Sequence, residues 1–435
     1  MKPMIKIFLS LFFLFSLSGC YDLSEPNDIA YIVALGIDET DETGIYEFTV
    51  QFAKTKEISG GSSIEGGKSG SEITELITIK APTAYAALNI ANHVVSKRFT
   101  LSHAKLFVFS EVIAKKGVRN LSDIIGRNSD IRPNIYLAVS HGKAKDYLDS
   151  VKPMVEVNPV SYYRLLFESQ YGGFIPKNMT QEFYTRIDSV THSPVLPLTG
   201  VNQINKGQEK DEKKEDKQKK QEENIDNKGD TKIKNIHNKG FEFHLPEYIA
   251  GQTDVDKENA SEVMGMAVFK KDRMVGTMSG IESEIYNILT GQFQNSYTTF
   301  YTKESPDNPV TVFMEQSKNP KIKIDLFKEN PIISIKVYLD ASLVSESATQ
   351  PIDEKITSFE QQAEESLKIA AEEFLTRTTE EFASDIIGFG DYAKRSFLDY
   401  QTFLNYNWEE KYPDSEFKID MNFNLRRVGF IALEE

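Results

Sequence analysis

The sequence predicts a multi-domain α+β protein with mixed β-sheets and packed helices, behind an N-terminal lipoprotein signal peptide. Its 435 residues are enough for two or three domains. Apolar residues make up 40% of the chain and aromatic residues 11%, so sizeable cores can form. Alternating patterns typical of strands and 3.6-residue patterns typical of helices follow one another in both halves, which favours the α+β class.

The N-terminal segment has the layout of a secretory signal peptide. Lys2 and Lys6 precede an apolar run over residues 7–17. This run is too short for a membrane span, because a helix needs about 20 apolar residues to cross the hydrocarbon core. The run ends in Leu-Ser-Gly-Cys at residues 17–20, which resembles a bacterial lipobox.

Cys20 is the predicted lipid attachment site and is the one cysteine in the chain. In a lipobox the thiol receives a diacylglycerol, cleavage frees the cysteine amine, and an N-acyl group is added there. Two or more acyl chains hold a protein on a membrane where a single chain exchanges off. The alternative is a plain signal peptide with an incidental cysteine. With Cys20 acylated, neither a disulfide nor a thiolate zinc site can form.

The net charge of −15 argues against a nucleic-acid partner and against binding to anionic lipid through a cluster of basic residues. Both need clustered Lys and Arg near a phosphate-rich surface. We therefore expect the lipid at Cys20, rather than charge, to hold the protein on its membrane.

The region after the anchor, residues 20–199, is predicted as an N-terminal α/β unit. A buried strand over 29–37 is joined by a turn to a strand over 46–52, in which apolar and polar residues alternate. We expect one face of this second strand to be exposed to solvent. The helix over 83–99 takes Thr83 as its N-cap. Pro194 and Pro197 are predicted to mark the end of this region. The other elements are strands over 73–80, 104–109 and 135–139, and helices near 110–116 and 162–170.

Two polar segments interrupt the pattern. Residues 59–71 are rich in glycine and serine and predict a mobile loop. Gly67-Lys68-Ser69 lies there, but Ser62 stands where a phosphate-binding loop needs a glycine. Residues 206–234 contain ten lysines and nine acidic residues, so we expect a solvated coil, with a charged helix as the alternative. Residues 200–261 thus form a charged flexible linker or insertion.

Residues 262–435 are predicted as a C-terminal α+β domain. A hairpin over 263–279 and a short helix over 281–289 come first, and a long amphipathic helix over 353–384 would run about 45 Å. Gly388 and Gly390 are predicted to end this long helix. A further helix carries Phe397 to Trp408. The remaining strands are expected over 310–314, 321–326, 332–343 and 417–425.

The sequence offers no catalytic constellation. The six histidines are scattered without metal-binding helical spacing, and no Gly-x-Ser-x-Gly occurs. Residues 254–258 hint at a calcium loop, but Asn259 and Gly265 stand where a glycine and a glutamate are needed. His103 is the most tempting single residue. We favour a hydrogen-bonded histidine that fixes a strand entry over a ligand.

Several short motifs, in order and over nearly the whole mature chain, resemble the Ger(x)C family of spore germination lipoproteins. Two features depart from that family: Tyr21 replaces a tryptophan, and the 206–234 segment is long. The motifs are Gly19-Cys20 with Asp22, Ala34-Leu35-Gly36-Ile37-Asp38, Ser102-His103-Ala104-Lys105, Gly265-Met266-Ala267-Val268-Phe269-Lys270 with Val275-Gly276, Asp385-Ile386-Ile387-Gly388-Phe389-Gly390, Trp408, Pro413 and Arg426-Arg427-Val428-Gly429-Phe430.

The resemblance implies about three α+β domains and a non-enzymatic role as the C subunit of a nutrient germinant receptor. It implies assembly with an A subunit and a transporter-like B subunit, both membrane proteins, on the outer face of the spore inner membrane. The family resemblance implies no cofactor, metal or catalytic residue. The alternatives are a solute-binding lipoprotein of a transporter, which usually shows two similar lobes, and a secreted cell-wall hydrolase.

Overall fold

The computed structural model describes residues 28–53, 74–121, 131–132, 134–153, 158–168, 172–177, 180–202, 248–253, 255, 259–302, 305–346 and 356–427. The signal peptide over residues 1–19, Cys20, the 59–71 segment and the 206–234 segment lie outside these residues. So do Asp254, Asp256 and Glu258 of the calcium-loop candidate.

The first sheet contains nine strands of the described chain in the order β3-β2-β1-β5-β6-β7-β8-β9, with β4 beside β1. β1 pairs in parallel with β4 and β5, whereas β7 and β8 pair antiparallel, so the sheet is mixed. Its strands are β1 (Ile29–Glu39), β2 (Tyr46–Ala53), β3 (Thr74–Ala81), β4 (Arg98–Thr100), β5 (Leu106–Ser110), β6 (Tyr136–Ser140), β7 (Val195–Val201), β8 (Ser261–Lys270) and β9 (Arg273–Met278).

Helices cover both faces of the first sheet. One face packs against α1 (Ala84–Val94), α2 (Glu111–Lys116) and α5 (Thr180–Ile187). The opposite face packs against α3 (Ala144–Ser150) and α4 (Pro159–Phe167). The sheet is therefore buried on both sides.

The second sheet has the order β10-β11-β12-β13 and is covered by helices on one face. β12 and β13 are parallel and the other pairs antiparallel. Its strands are β10 (Asn295–Thr302), β11 (Ser305–Asp325), β12 (Ile332–Glu346) and β13 (Glu416–Arg427). The helices of this region are α6 (Gly280–Thr290), α7 (Ile356–Thr376), α8 (Phe389–Ala393), α9 (Tyr400–Tyr406) and α10 (Trp408–Lys411).

Side chains from α7 close the outer edge of β13. The Glu364 carboxylate accepts the backbone N–H of Phe423 at 3.0 Å, and that of Glu360 accepts the N–H of Leu425 at 2.8 Å. These two N–H groups point away from β12, so two glutamates occupy positions where a neighbouring strand would otherwise bind.

Several predicted elements are confirmed. Thr83 caps α1, accepting the N–H of Ala86 at 3.2 Å. The hairpin predicted over 263–279 is β8–β9, and the helix predicted over 281–289 is α6. In β13 the alternate residues Ile419, Met421 and Phe423 are buried, as the clean alternation predicted.

The long C-terminal helix is shorter than predicted. α7 ends at Thr376, so at 1.5 Å per residue it runs about 32 Å rather than 45. A π-helical turn, Arg377–Glu381, follows, and Ala383 has a φ of +45°. The hydroxyls of Thr378 and Thr379 donate to the Leu375 carbonyl, a competition that disturbs helical geometry. Gly388 therefore begins the next helix and does not end this one.

Four other expectations are corrected. β2 has no wet face, because Thr49 and Gln51 are buried under α3 and α4. The strands predicted over 310–314 and 321–326 are one strand, β11, with register shifts around Pro320. Pro197 does not close the region but lies in buried β7 at a register irregularity. The helix predicted from Phe397 to Trp408 is two short helices broken by Asn407 in the left-handed region.

Candidate functional site

Strand β8 carries the motif at residues 265–270 and is a common wall of two cores. Ala267 and Phe269 face the core beneath α1, α2 and α5. Met266 and Val268 point the opposite way, into the core of the second sheet. Because successive side chains of a strand alternate between faces, one strand joins the two regions through its own residues. We call this strand and the 385–391 loop beside it the junction.

The Asp385 carboxylate organises the junction loop. It is buried and accepts the backbone N–H groups of Gly388, Phe389 and Gly390 at 2.8, 3.0 and 2.8 Å. The indole N–H of Trp408 donates to it at 2.9 Å. Burial raises the pKa of Asp385, while the adjacent His192 and these donors act in the opposite direction. With four donors on its two oxygens, the carboxylate is fully engaged in holding the loop.

Two glycines let the loop approach the segment before β7. Gly388 has a φ of +85°, and a Cβ there would lie 2.5 Å from Nδ1 of His192. A Cβ on Gly390 would lie 2.6 Å from the Thr191 carbonyl oxygen. The motif glycines thus have a packing reason as well as the conformational one expected from the sequence.

Further hydrogen bonds tie the loop to the first sheet. His192 Nε2 lies 2.9 Å from the Ile386 carbonyl oxygen, and the Ser193 N–H donates to the Asp385 carbonyl at 2.7 Å. Ser384 Oγ donates to the Phe269 carbonyl at 2.9 Å. The loop is therefore bonded both to the β7 entry and to β8.

The cavity at the junction is small, about 10 Å³. That volume is close to the minimum that one water molecule needs. His192, Asp385 and Trp408 are among its lining residues. The cavity at the junction therefore offers no room for an organic substrate.

The N-terminal motif at residues 34–38 also fixes packing. The Asp38 carboxylate accepts the N–H groups of Ala144 and Lys145 at 2.8 and 2.9 Å, where α3 begins. Burial raises the pKa of Asp38, while these two N–H groups lower it. A Cβ on Gly36 would lie 3.0 Å from the Leu148 side chain, so the glycine lets α3 lie close to β1.

His103 lies exposed in the turn before β5. Its Nδ1 is 2.9 Å from Ser102 Oγ, and its ring packs edge-on against Tyr31 at 4.7 Å. Burial, together with the charges of Arg132 and Lys105, lowers its pKa. The expected hydrogen bond at the strand entry is confirmed.

A buried carboxylate on α6 was not predicted from the sequence. Glu284 on α6 is buried and accepts hydrogen bonds from Ser296 and Thr298 at 2.7 and 3.1 Å. Burial raises its pKa, and the two hydroxyls offset part of that rise. α6 also carries Glu282, and nothing in the sequence distinguishes the buried glutamate from its neighbour.

Within the part of the chain that the structure describes, no group of three or more His, Cys, Asp or Glu side chains is placed to hold a metal ion.

No helix among the described residues is long and apolar enough to cross a membrane.

Two α+β regions meet along β7, β8 and β9, and motif residues hold the backbone and helices in place there. The fold is therefore a two-part α+β scaffold. Two family models match this chain: "Spore germination protein N-terminal domain" over residues 22–201 and "Spore germination B3/ GerAC like, C-terminal" over residues 264–429. The chain belongs to this GerAC-like family of spore germination proteins, as the sequence motifs indicated.

Relatives in Bacillus subtilis (strain 168) resemble the chain to different extents. Spore germination protein KC is 24% identical over 95% of this chain and 93% of that protein. Putative spore germination protein YfkR is 30% identical, over 34% of this chain and 38% of that protein. Among solved structures, the GerBC protein is 16% identical, with a TM-score of 0.47 over 90% of this chain and 96% of that one.

Proposed function

We propose that the protein is the lipid-anchored, non-enzymatic C subunit of a spore nutrient germinant receptor. In this role it is required for dormant spores to respond to nutrients, and it acts by assembling with the membrane-embedded A and B subunits. The observation that carries the proposal is the pair of family matches, which together run from residue 22 to residue 429.

The anchor in this proposal is Cys20, modified by an S-diacylglyceryl group and an N-acyl group on the outer face of the spore inner membrane. When extended, the residues from Cys20 to the start of β1 at Ile29 span at most about 30 Å. The folded regions would thus stay near the membrane, where their high local concentration makes modest contacts with the other subunits sufficient.

The junction supports a scaffolding role. A subunit that passes a signal between membrane partners needs parts that move together, and Asp385, His192 and β8 bond the two regions into such a unit. The engaged Asp385 carboxylate and the small cavity favour this role over catalysis.

The test is nutrient-triggered loss of optical density in spores lacking the gene, beside spores carrying Cys20→Ala. The deletion strain should fail on at least one nutrient and respond normally to a nutrient-independent germinant. Cys20→Ala spores should show the same selective failure, since the anchor supplies the local concentration. Spores carrying Ser18→Ala, which keeps a small residue and the cysteine, are the matched control.

A pull-down from spore membranes tests the partners. We expect A and B subunits to be recovered with the wild-type chain. Recovery of transporter components instead, together with tight binding of an amino acid or sugar by calorimetry, would favour the solute-binding alternative and contradict the receptor role.

A further inference from the structure

Among the strands at the ends of the two described sheets, only β10 carries no charged residue. Its sequence, Asn-Ser-Tyr-Thr-Thr-Phe-Tyr-Thr, contains neither proline nor glycine and is rich in threonine and aromatic residues, which favour strands. The strands at the other ends, β3, β9 and β13, all contain charged residues. Charged side chains on an edge strand discourage pairing with another chain, so β10 lacks a protection that the other edges have.

The backbone groups of Tyr297 and Thr299 point away from β11. The Asn295 carbonyl accepts the N–H of Gly172, which is not part of β11, at 3.3 Å. In an antiparallel pair, the outward and inward directions of the backbone groups alternate from residue to residue. Tyr297 and Thr299 therefore also direct their N–H and C=O groups outward. The hydroxyls of Thr299 and its β11 partner Thr311 lie 3.0 Å apart, as expected for a pair that exchanges no backbone bonds.

These outward groups are open to a partner strand. No hydrogen bond within the described part of the chain reaches the outward N–H and C=O of Tyr297 and Thr299. The Tyr297 side chain is 63% exposed, and its ring packs against Phe313 at 5.3 Å on the face that no helix covers. Two donors and two acceptors at this spacing match the backbone of one further strand.

We propose that β10 pairs with β10 of a second copy of this chain, antiparallel and across a two-fold axis at Thr298. In this register Tyr297 of each copy lies opposite Thr299 of the other, and four backbone hydrogen bonds form. All four use the outward groups, and Gly172 keeps its bond to Asn295. Two identical strands can pair in this way without opposing like charges, because β10 has none.

The opposite end of the second sheet makes this pairing self-limiting. The carboxylates of Glu360 and Glu364 already accept outward N–H groups of β13. A two-fold contact uses the same surface on both copies, so it closes after two molecules. One open, uncharged edge and one blocked edge therefore fit a dimer in which the two copies of the second sheet join into one. This pairing does not depend on the receptor role proposed above.

Cysteine variants test the register in the purified full chain in mild detergent. Tyr297→Cys on one copy would face Thr299→Cys on the other with Cα atoms about 5.5 Å apart, within the range for a disulfide. Two cysteines at the same position would be about 8 Å apart, which is too far. In an equal mixture of the two variants about half of the dimers unite unlike chains, so oxidation should cross-link up to about half of the protein. Either variant alone should give little covalent dimer.

The wild-type chain is the control for the oxidation, because Cys20 is its one cysteine. Covalent dimers of the wild type would show a free Cys20 thiol and would count against the proposed lipid attachment. The β10 pairing is then measured by the excess of covalent dimer in the mixture over the wild type and the single variants. Failure of the anchor and failure of the dimer can thus be told apart.

Two substitutions at Thr299 test the backbone bonds. Thr299→Pro removes an outward N–H and leaves the bonds to β11 in place, so the fold should persist. Two of the four hydrogen bonds of the dimer are lost, and association should weaken roughly tenfold or more. Thr299→Ala removes the same hydroxyl but keeps the N–H, so it should associate like the wild type. Sedimentation measures the dimer fraction, and circular dichroism checks that both variants fold.

Two results would overturn the proposal: a mixture that cross-links no more than the single variants, or equal association of Thr299→Pro and Thr299→Ala. If Thr299→Pro does not fold, the cross-linking decides alone. If Thr299→Pro loses a membrane protein from the pull-down while the mixture stays uncross-linked, a strand of that protein, and not a second copy, occupies the β10 edge.

Discussion

The strands β2 and β12 show the same alternation of apolar and polar residues but meet different surroundings. In β2 the polar positions Thr49 and Gln51 are buried under helices, and Gln51 accepts a hydrogen bond from Tyr163 at 2.7 Å. In β12 the corresponding positions are Lys336 and Tyr338, which are partly exposed on the face that no helix covers. Period-two alternation thus indicates a strand, while what covers its polar face is decided by helices elsewhere in the chain.

The largest expected effect comes from placing a lysine on each of the two polar faces. Thr49→Lys would bury a charge without a partner and should destabilise the fold by about 4 kcal/mol or more. Asn422→Lys, on the face of the second sheet that no helix covers, should change stability by less than about 0.5 kcal/mol. Urea unfolding followed by circular dichroism measures both. Similar losses for the two variants would mean that the second sheet is covered on both faces.

The junction between the two regions should be nearly as sensitive. Asp385→Ala leaves three backbone N–H groups and the Trp408 indole N–H without their acceptor, and should cost about 3 to 5 kcal/mol. Asp391→Ala is the control, because that carboxylate is half exposed and lies 3.7 Å from His192. It should cost less than about 1 kcal/mol. Equal effects would argue that the loop is held by packing and not by the Asp385 carboxylate.

A smaller effect separates two tyrosines on these faces. Tyr163→Phe removes a buried hydroxyl and leaves Gln51 without its donor, so we expect a loss of about 1 to 2 kcal/mol. Tyr338→Phe should have an effect within about 0.5 kcal/mol. Unfolding midpoints for the two single variants give the comparison, and a larger loss at Tyr338 would contradict it.

The smallest expected effect is a pH dependence from Glu284. Burial raises its pKa in the folded chain, so the folded state holds this proton to higher pH than the unfolded state does. Its contribution to stability should therefore fall as pH rises through the folded pKa. Glu284→Gln removes the titration, so the stability of the variant relative to the wild type should rise as pH is raised above 4.5, the ordinary pKa of glutamate. Chemical unfolding at several pH values measures this, and a wild type that gains instead would reverse the assignment.

The local sequence pattern was enough to predict many helices and strands. It failed where contacts with residues far away in the chain determine where an element ends or what covers it. A dense apolar run located β1, the turn between two apolar segments located β8, and alternation located β13. A single residue, Thr83, marked the start of α1. The end of α7 could not be predicted, because it depends on threonine hydroxyls and on the packing of Tyr412, whose hydroxyl lies 2.6 Å from that of Thr378. Pro197 was wrongly predicted to close the N-terminal region, because a bulge in a buried strand can accommodate proline.

The site was predicted only in part for the same reason. The motifs marked Asp385, Gly388 and Gly390, but their partner His192 lies almost two hundred residues earlier in the chain. The pairing of Lys321 with Lys336 was equally hidden, because only the register of β11 against β12 brings them together.

The glutamates at the edge of β13 bear on how copies of the protein behave when crowded. The proposed lipid at Cys20 would confine the molecules to the membrane plane, where open strand edges would meet often and could pair into filaments. With Glu360 and Glu364 holding the N–H groups of Leu425 and Phe423, an approaching strand would have to displace two carboxylates before its first backbone bond could form. The β13 edge would in this way resist strand pairing between neighbouring copies.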